Sequence, residues 1–192
     1  MPAPDPAAFA FLARRRSHPA KLFVAPVPNR DALMRILTAA ARVPDHGKLE
    51  PWRLIVVEKS GMAKLADLAE ARARVLGGDA EMIGKGRGQF DLGHLAVVVI
   101  SSPKPATKIP LAEQRASAAA LSMNLVNAAE AAGWGACWLS GWPAHDADFA
   151  GRAFGCSGDE CVMGIIHIGT PPAAEAPDRP RPDLTRIVSF YG

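Results

Sequence analysis

The sequence predicts a single domain, residues 1–192, that mixes helices with strands. Three observations carry that reading. At 192 residues, 49% hydrophobic and 21% charged, the chain is long enough for one core and has a globular composition. Apolar residues recur at helical spacing in several segments, above all 29–42 and 111–132. Four short runs rich in β-branched or small apolar residues, at 53–58, 94–101, 135–139 and 161–169, read as strands between them.

The elements follow in order. Asp5-Pro6 starts a helix, with Asp as N-cap and Pro at the first position, Phe9 and Leu12 on one face, and Arg14-Arg15-Arg16-Ser17 at its end. An irregular stretch runs to Pro28. Asn29 caps a second helix carrying Leu33, Ile36, Leu37 and Ala40, which stops near Val43-Pro44. A loop leads to the strand Arg53 to Glu58. Ser60 is expected to cap a third helix that runs toward Gly77-Gly78. Residues 79–91 are polar and glycine-rich and read as a mobile loop with a helical turn.

His94 to Ser101 predicts a fully buried strand, and Pro103 to Pro110 a linker. Leu111 to Ala132 is the longest helix, with Gly133 as its stop. A strand over Gly135 to Leu139, a short helix over Asp146 to Phe154 and a strand over Cys161 to Gly169 follow. The tail from 170 to 192 is an extended arm, because prolines at 171, 172, 177, 180 and 182 exclude helix and central strand. Its apolar end, Ile187 to Tyr191, needs a surface to cover it. An arm wrapping a second subunit and an arm folded on its own subunit both meet that need.

Composition excludes several function classes. The uncharged stretch Ala116 to Ala129 is too short and too polar to span a bilayer, so no membrane partner is expected. The first residues carry their charges after the apolar part, the reverse of a secretory signal. Cysteines 137, 156 and 161 form no C-x-x-C and read as reduced thiols of a cytoplasmic protein. A net charge of +3 is too mild to imply a nucleic-acid partner. The five histidines have no metal-ligand spacing, and no metal is expected.

Four constellations carry chemistry. Arg14-Arg15-Arg16-Ser17 offers planar donor forks and a hydroxyl suited to phosphate, or it complements a helix dipole. Arg42 through Trp52 holds Arg42, His46 and Lys48 between two prolines, a density that suits a ligand or an interface. Gly133 to Trp142 holds three tryptophans that either wall an aromatic ring or pack in the core, Trp134 more than Trp138. Asp178-Arg179-Pro180-Arg181-Pro182 places two cations on a stiff segment, again for phosphate or for solvent. Gly84-x-Gly86-x-Gly88 follows no strand and is a weak dinucleotide signal. Cations and tryptophans without acid–base machinery point to a phosphorylated, aromatic cofactor that carries the reaction.

Taken together, the early Arg-Arg-Ser, R-x-P-D-H-x-x-x-x-P-W, G-W-G-A-C-W-x-S-G, I-G-T-P and the Arg-Pro tail resemble the FMN-dependent nitroreductase family over nearly the whole chain. The resemblance is to its compact NAD(P)H nitroreductase subgroup. It implies an α+β fold with a mostly antiparallel central sheet flanked by helices, in an intertwined homodimer that exchanges C-terminal arms. It implies FMN at the subunit interface, NADH or NADPH as co-substrate, and transfer through the flavin to nitroaromatic, quinone or related acceptors in ping-pong fashion. Arg15, Arg16 and Ser17 are then expected at the FMN phosphate and ribityl side. Arg42 and His46 are expected to reach the flavin held mainly by the other subunit. Trp138, Leu139 and Ser140 are expected along the isoalloxazine, and Arg179 or Arg181 to complete the phosphate grip. No catalytic side chain is implied. Relatives often carry Arg where Leu139 stands and Gln where Glu50 stands. These two departures keep open a flavin-binding protein without reductase turnover.

Overall fold

The computed structural model describes residues 3–105, 108–174 and 176–192. Four strands, β1 (Trp52–Glu58), β2 (Leu95–Ser101), β3 (Gly135–Leu139) and β4 (Cys161–Gly169), form one sheet in the order β1-β2-β4-β3. All three pairings are antiparallel. Seven helices accompany them: α1 (Pro6–Arg14), α2 (Arg30–Ala40), α3 (Lys59–Val75), α4 (Ala80–Arg87), α5 (Leu111–Ala131), α6 (Trp142–His145) and α7 (Ala147–Phe154). The fold is α+β, as expected. No described helix is long and apolar enough to cross a membrane.

Strand β2 sits inside the sheet, and every one of its residues is buried. Side chains alternate across a strand, so β2 feeds two cores. Leu95, Val97 and Val99 pack with Ile166 and Ile168 against α2 and α5. Ala96, Val98 and Ile100 face the other way, with Val162 and Ile165, against α3 and α7. Full burial of one such aliphatic side chain is worth about 1.5–3 kcal/mol. The α2 stripe is Leu33, Ile36, Leu37 and Ala40, the spacing its sequence shows. Asn29 caps it through a bond from the Ala32 N–H, 2.9 Å. Its last carbonyls, at Ala39 and Ala40, accept from the Asn124 side chain of α5 at 3.2 and 3.0 Å. The helix therefore ends before Val43-Pro44, on tertiary contacts. Gly133, at φ 87°, closes α5 as expected.

Two local expectations need correction. Ser60 does not cap α3: β1 runs straight into the helix, Glu58 is its N-cap residue, and no side chain caps it. Residues 79–91 are not a loop with a helical turn, because they hold the eight-residue α4. The Asp79 carboxylate accepts from the Met82 N–H at 2.8 Å, and Arg87 pairs with Asp67, Glu70 and Asp91. Trp134 and Trp138 are both half-buried and both pack against the core on the α2–α5 side of the sheet. The short helix α6 was not foreseen. Its Trp142 donates to the Met82 carbonyl at 3.0 Å and ties α6 to α4.

One buried polar group sets an acid limit. His167 on β4 is 2% exposed, and neither ring nitrogen has a hydrogen-bond partner of good geometry. Burial pushes its pKa down to about 4, weakly opposed by the Gln89 backbone. The unfolded chain thus binds the extra proton first, and stability is lost as pH falls from about 6.5 toward 4. Across that window the loss expected is about 3 kcal/mol. Glu160, held down at about 2 by its bond from Arg53, extends the loss below pH 4.5. Urea melts at pH 7 and pH 4.5 check this. A His167→Leu variant should flatten the upper part of the profile, and an unchanged slope would remove His167 as the cause.

Candidate functional site

The site is assembled where α1 ends, the edge strand β3 passes and the C-terminal arm returns. Thr170 bridges to Val24 just beyond β4, and the arm then runs along the end of α1. Arg16 Nε donates to the Pro177 carbonyl at 3.2 Å, and Arg181 donates to the Ala13 carbonyl at 2.9 Å. Proline keeps that segment extended and leaves its carbonyls free to accept such donors.

A cavity of about 410 Å³ opens between these pieces, lined by Arg15, Arg16, Ser17, Cys137, Trp138, Arg179 and Arg181 with Leu12 and Ala13. Four arginines thus line one space. Trp138 stands in its wall because β4 has a glycine there. A Cβ at Gly164 would lie 2.5 Å from the indole, and the indole N–H donates to the Met163 carbonyl at 3.2 Å. Cys137 is free, and burial raises its thiol pKa, so it stays protonated at neutral pH. Arg179 makes no side-chain hydrogen bond among the described residues, whereas Arg181 also donates to Asp178 at 3.0 Å.

Arg15 is the most tightly held of the four. Its Nε donates to Glu130 at 3.0 Å, its Nη2 donates to Ser17 Oγ at 3.3 Å, and Ser17 Oγ donates to the other Glu130 oxygen at 3.1 Å. Glu130 was not singled out in the sequence. It lies 115 positions from Arg15 with nothing local to mark it.

His46 and Arg42 lie elsewhere. The loop after α2 is fixed by Asp45, whose carboxylate accepts from the Leu49 and Glu50 N–H groups at 3.1 and 2.9 Å. It bends through positive φ at Gly47, Lys48 and Glu50, two of them strained non-glycine positions of the kind that gather at functional loops. His46 Nδ1 meets Glu113 of α5 at 2.8 Å and lines a second cavity of about 580 Å³ with Pro51, Ile109 and Ser117. Arg42 is exposed beyond α2. Leu139 is half-buried at the end of β3, and Ser140 lines a third cavity with His145 and Cys161. One chain therefore brings Arg15, Arg16, Ser17, Trp138, Arg179 and Arg181 together, and leaves Arg42, His46 and Ser140 apart from them. Among the described residues no group of three His, Cys, Asp or Glu could hold a metal ion.

The nitroreductase family model matches residues 12–170, most of the chain. The chain belongs to the nitroreductase family. It is accordingly an enzyme of the oxidoreductase class. YdjA of Escherichia coli K12, provisionally named an NAD(P)H nitroreductase, is 31% identical over 184 residues, covering 96% of this chain and 99% of YdjA. Among solved structures, a nitroreductase-like family protein of Bacillus cereus superposes with a TM-score of 0.77 at 22% identity, over 100% of this chain and 99% of its own. A variant of NfnB, an FMN- and NADPH-dependent nitroreductase of Sphingopyxis, gives 0.75 at 19% identity, over 97% and 99%. The four-stranded antiparallel sheet flanked by helices is thus the nitroreductase fold, as the motifs implied.

Proposed function

We propose that this nitroreductase is an FMN-dependent enzyme that oxidises NADH or NADPH and reduces a small acceptor, working as a homodimer with FMN at the subunit interface. The observation that carries the reading is the meeting of Arg15, Arg16, Arg179 and Arg181 on one cavity with Trp138 in its wall. That donor set fits FMN. Guanidinium forks match a phosphate, and an indole beside a strand end matches a flat ring. When bound, FMN would supply the redox chemistry between NAD(P)H and a nitroaromatic, quinone or related acceptor, in ping-pong order.

The chain's own residues bind and orient. Arg15 and Arg16, beside Ser17, hold the phosphate end. Arg179 completes the grip, since its guanidinium is uncommitted among the described residues while Arg181 fastens the arm to α1. Trp138, Leu139 and Ser140 border the ring. Arg42 and His46 reach the flavin of the second subunit, a role supported by their separation from the arginine cavity within one chain.

Exposed apolar side chains support the dimer. Phe9 and Leu12 on α1 are 77% and 58% exposed, and Phe190 and Tyr191 at the end of the arm are fully exposed. A monomer rarely leaves so many aromatic and aliphatic groups in water. Three unpaired cysteines support a reducing, cytoplasmic setting. Steady-state oxidation of NADH and NADPH with menadione or a nitrofuran tests the activity. Acceptor-dependent turnover by the FMN-loaded protein is expected. A flavin-loaded protein inert to both nicotinamides would instead be a flavin binder without reductase turnover.

A further inference from the structure

Glu130 is a carboxylate placed against the cation cluster that the flavin reading assigns to phosphate. Its side chain is 10% exposed, and that of Arg15 is 20% exposed. Arg15 and Arg16 line two adjoining cavities. Glu130 lines the one that Arg179 and Arg181 do not line. Its two oxygens are spent on Arg15 Nε and on the Ser17 hydroxyl. A hydroxyl has one proton, so while Ser17 donates to Glu130 it offers the cavity only a lone pair. An incoming phosphate therefore finds Arg15 already half-neutralised and Ser17 turned away as a donor.

We propose that Glu130 is an internal competitor for the phosphate of the bound nucleotide: it sets the affinity for FMN, and with it the preference for FMN over riboflavin, by holding Arg15 Nε and the Ser17 proton. The proposal rests on the flavin reading of the same cavity. Its chemistry is that of charge sharing. A carboxylate on one edge of a guanidinium lowers the potential felt by an anion on another edge, and water screens only part of this near a buried pair. Glu130 also holds the Arg15 fork in place, which limits how far its removal can help.

The distinguishing variant is Glu130→Gln, which keeps the shape. The Gln carbonyl can still accept from Arg15 Nε, while its amide N–H faces Ser17 Oγ and releases the Ser17 proton to the cavity. Equilibrium titration of apoprotein with FMN and with riboflavin, followed by flavin fluorescence quenching, reads the effect. The expected result is FMN binding tighter by about fivefold or more in Glu130→Gln, with riboflavin unchanged within about twofold. Adding Ser17→Ala to Glu130→Gln should remove part of that gain.

FMN affinity that is unchanged or weaker in Glu130→Gln, or a riboflavin affinity that rises equally, overturns the proposal. A gain that survives undiminished when Ser17→Ala is added to Glu130→Gln overturns it as well. Failure of the wild-type chain to bind FMN is a different result, and it overturns the flavin reading itself. Thermal stabilisation by inorganic phosphate alone then decides the role of Glu130: greater stabilisation of Glu130→Gln supports competition, and equal stabilisation refutes it.

Discussion

Replacing Arg16 by alanine lowers FMN affinity by about tenfold or more and leaves riboflavin affinity nearly unchanged. A hydrogen bond to a charged group contributes about 1.5–3 kcal/mol, and each 1.4 kcal/mol is about tenfold in affinity. Arg16 has the clearest claim among the cavity arginines to act directly. No carboxylate pairs with it among the described residues, and its hydrogen bonds go to the neutral carbonyls of Pro177 and Ser17. Arg15, by contrast, already shares its guanidinium with Glu130. Arg16→Lys should recover only part of the loss, because an ammonium restores the charge without the planar fork. The Pro177 bond adds a second consequence, since the same variant frees the arm from the end of α1. Proteolysis of the arm in Arg16→Ala should therefore accelerate relative to wild type, and FMN titration of the two proteins checks the main effect. Equal FMN affinities would remove Arg16 from the phosphate site.

The second large effect lies in the core that supports the site from the far face of the sheet. Phe149 of α7 is fully buried and sits among three aromatic rings. It stacks on Phe90 at 5.8 Å and meets Trp142 and Phe154 edge-on at 6.5 and 5.8 Å. Phe149→Ala should cost about 3–5 kcal/mol, the sum of lost transfer energy and the cavity left behind. For a chain of this size that lowers the melting temperature by roughly 10 °C. Phe149→Leu, which keeps most of the volume, should cost less than half as much. The cluster joins α7, α6 and the turn after α4, so loss of packing there should loosen the β3–α6 segment that follows Trp138. Hydrogen exchange over residues 140–146 reads that loosening separately from the melt.

The sheet and its two main helices are plain in the sequence because local pattern and burial agree there. The run HLAVVVIS has no polar residue between His94 and Ser101 and becomes the strand buried on both faces. The α2 stripe was visible residue by residue. Helix α4 was not, since Gly84 and Gly86 inside it and Gly88 just after it argue against it locally, outweighing the Glu81–Lys85 pair that favours it. Its stability comes from Asp67 and Glu70 of α3, which reach Arg87, and from the Trp142 ring packed on Gly86. Tertiary partners overrode propensity at that point. The site divides in the same way. Arg15, Arg16, Arg179, Arg181 and Trp138 stand in recognisable motifs, and the fold brings them to one cavity. Glu113 and Glu130 act through partners that only folding supplies. Glu113 lies 67 positions from His46, and Glu130 lies 113 positions from Ser17. A carboxylate in a helix reads as solvated surface until its partner is known.

Visible absorption of the purified protein reads whether the arginine cavity holds FMN. A yellow protein is expected, or an apoprotein that stays yellow through gel filtration after incubation with FMN. Denaturation should release FMN in about one equivalent per chain, and anaerobic addition of NADH or NADPH should bleach the colour. A colourless chain that retains no FMN after incubation would show that the cavity does not hold FMN.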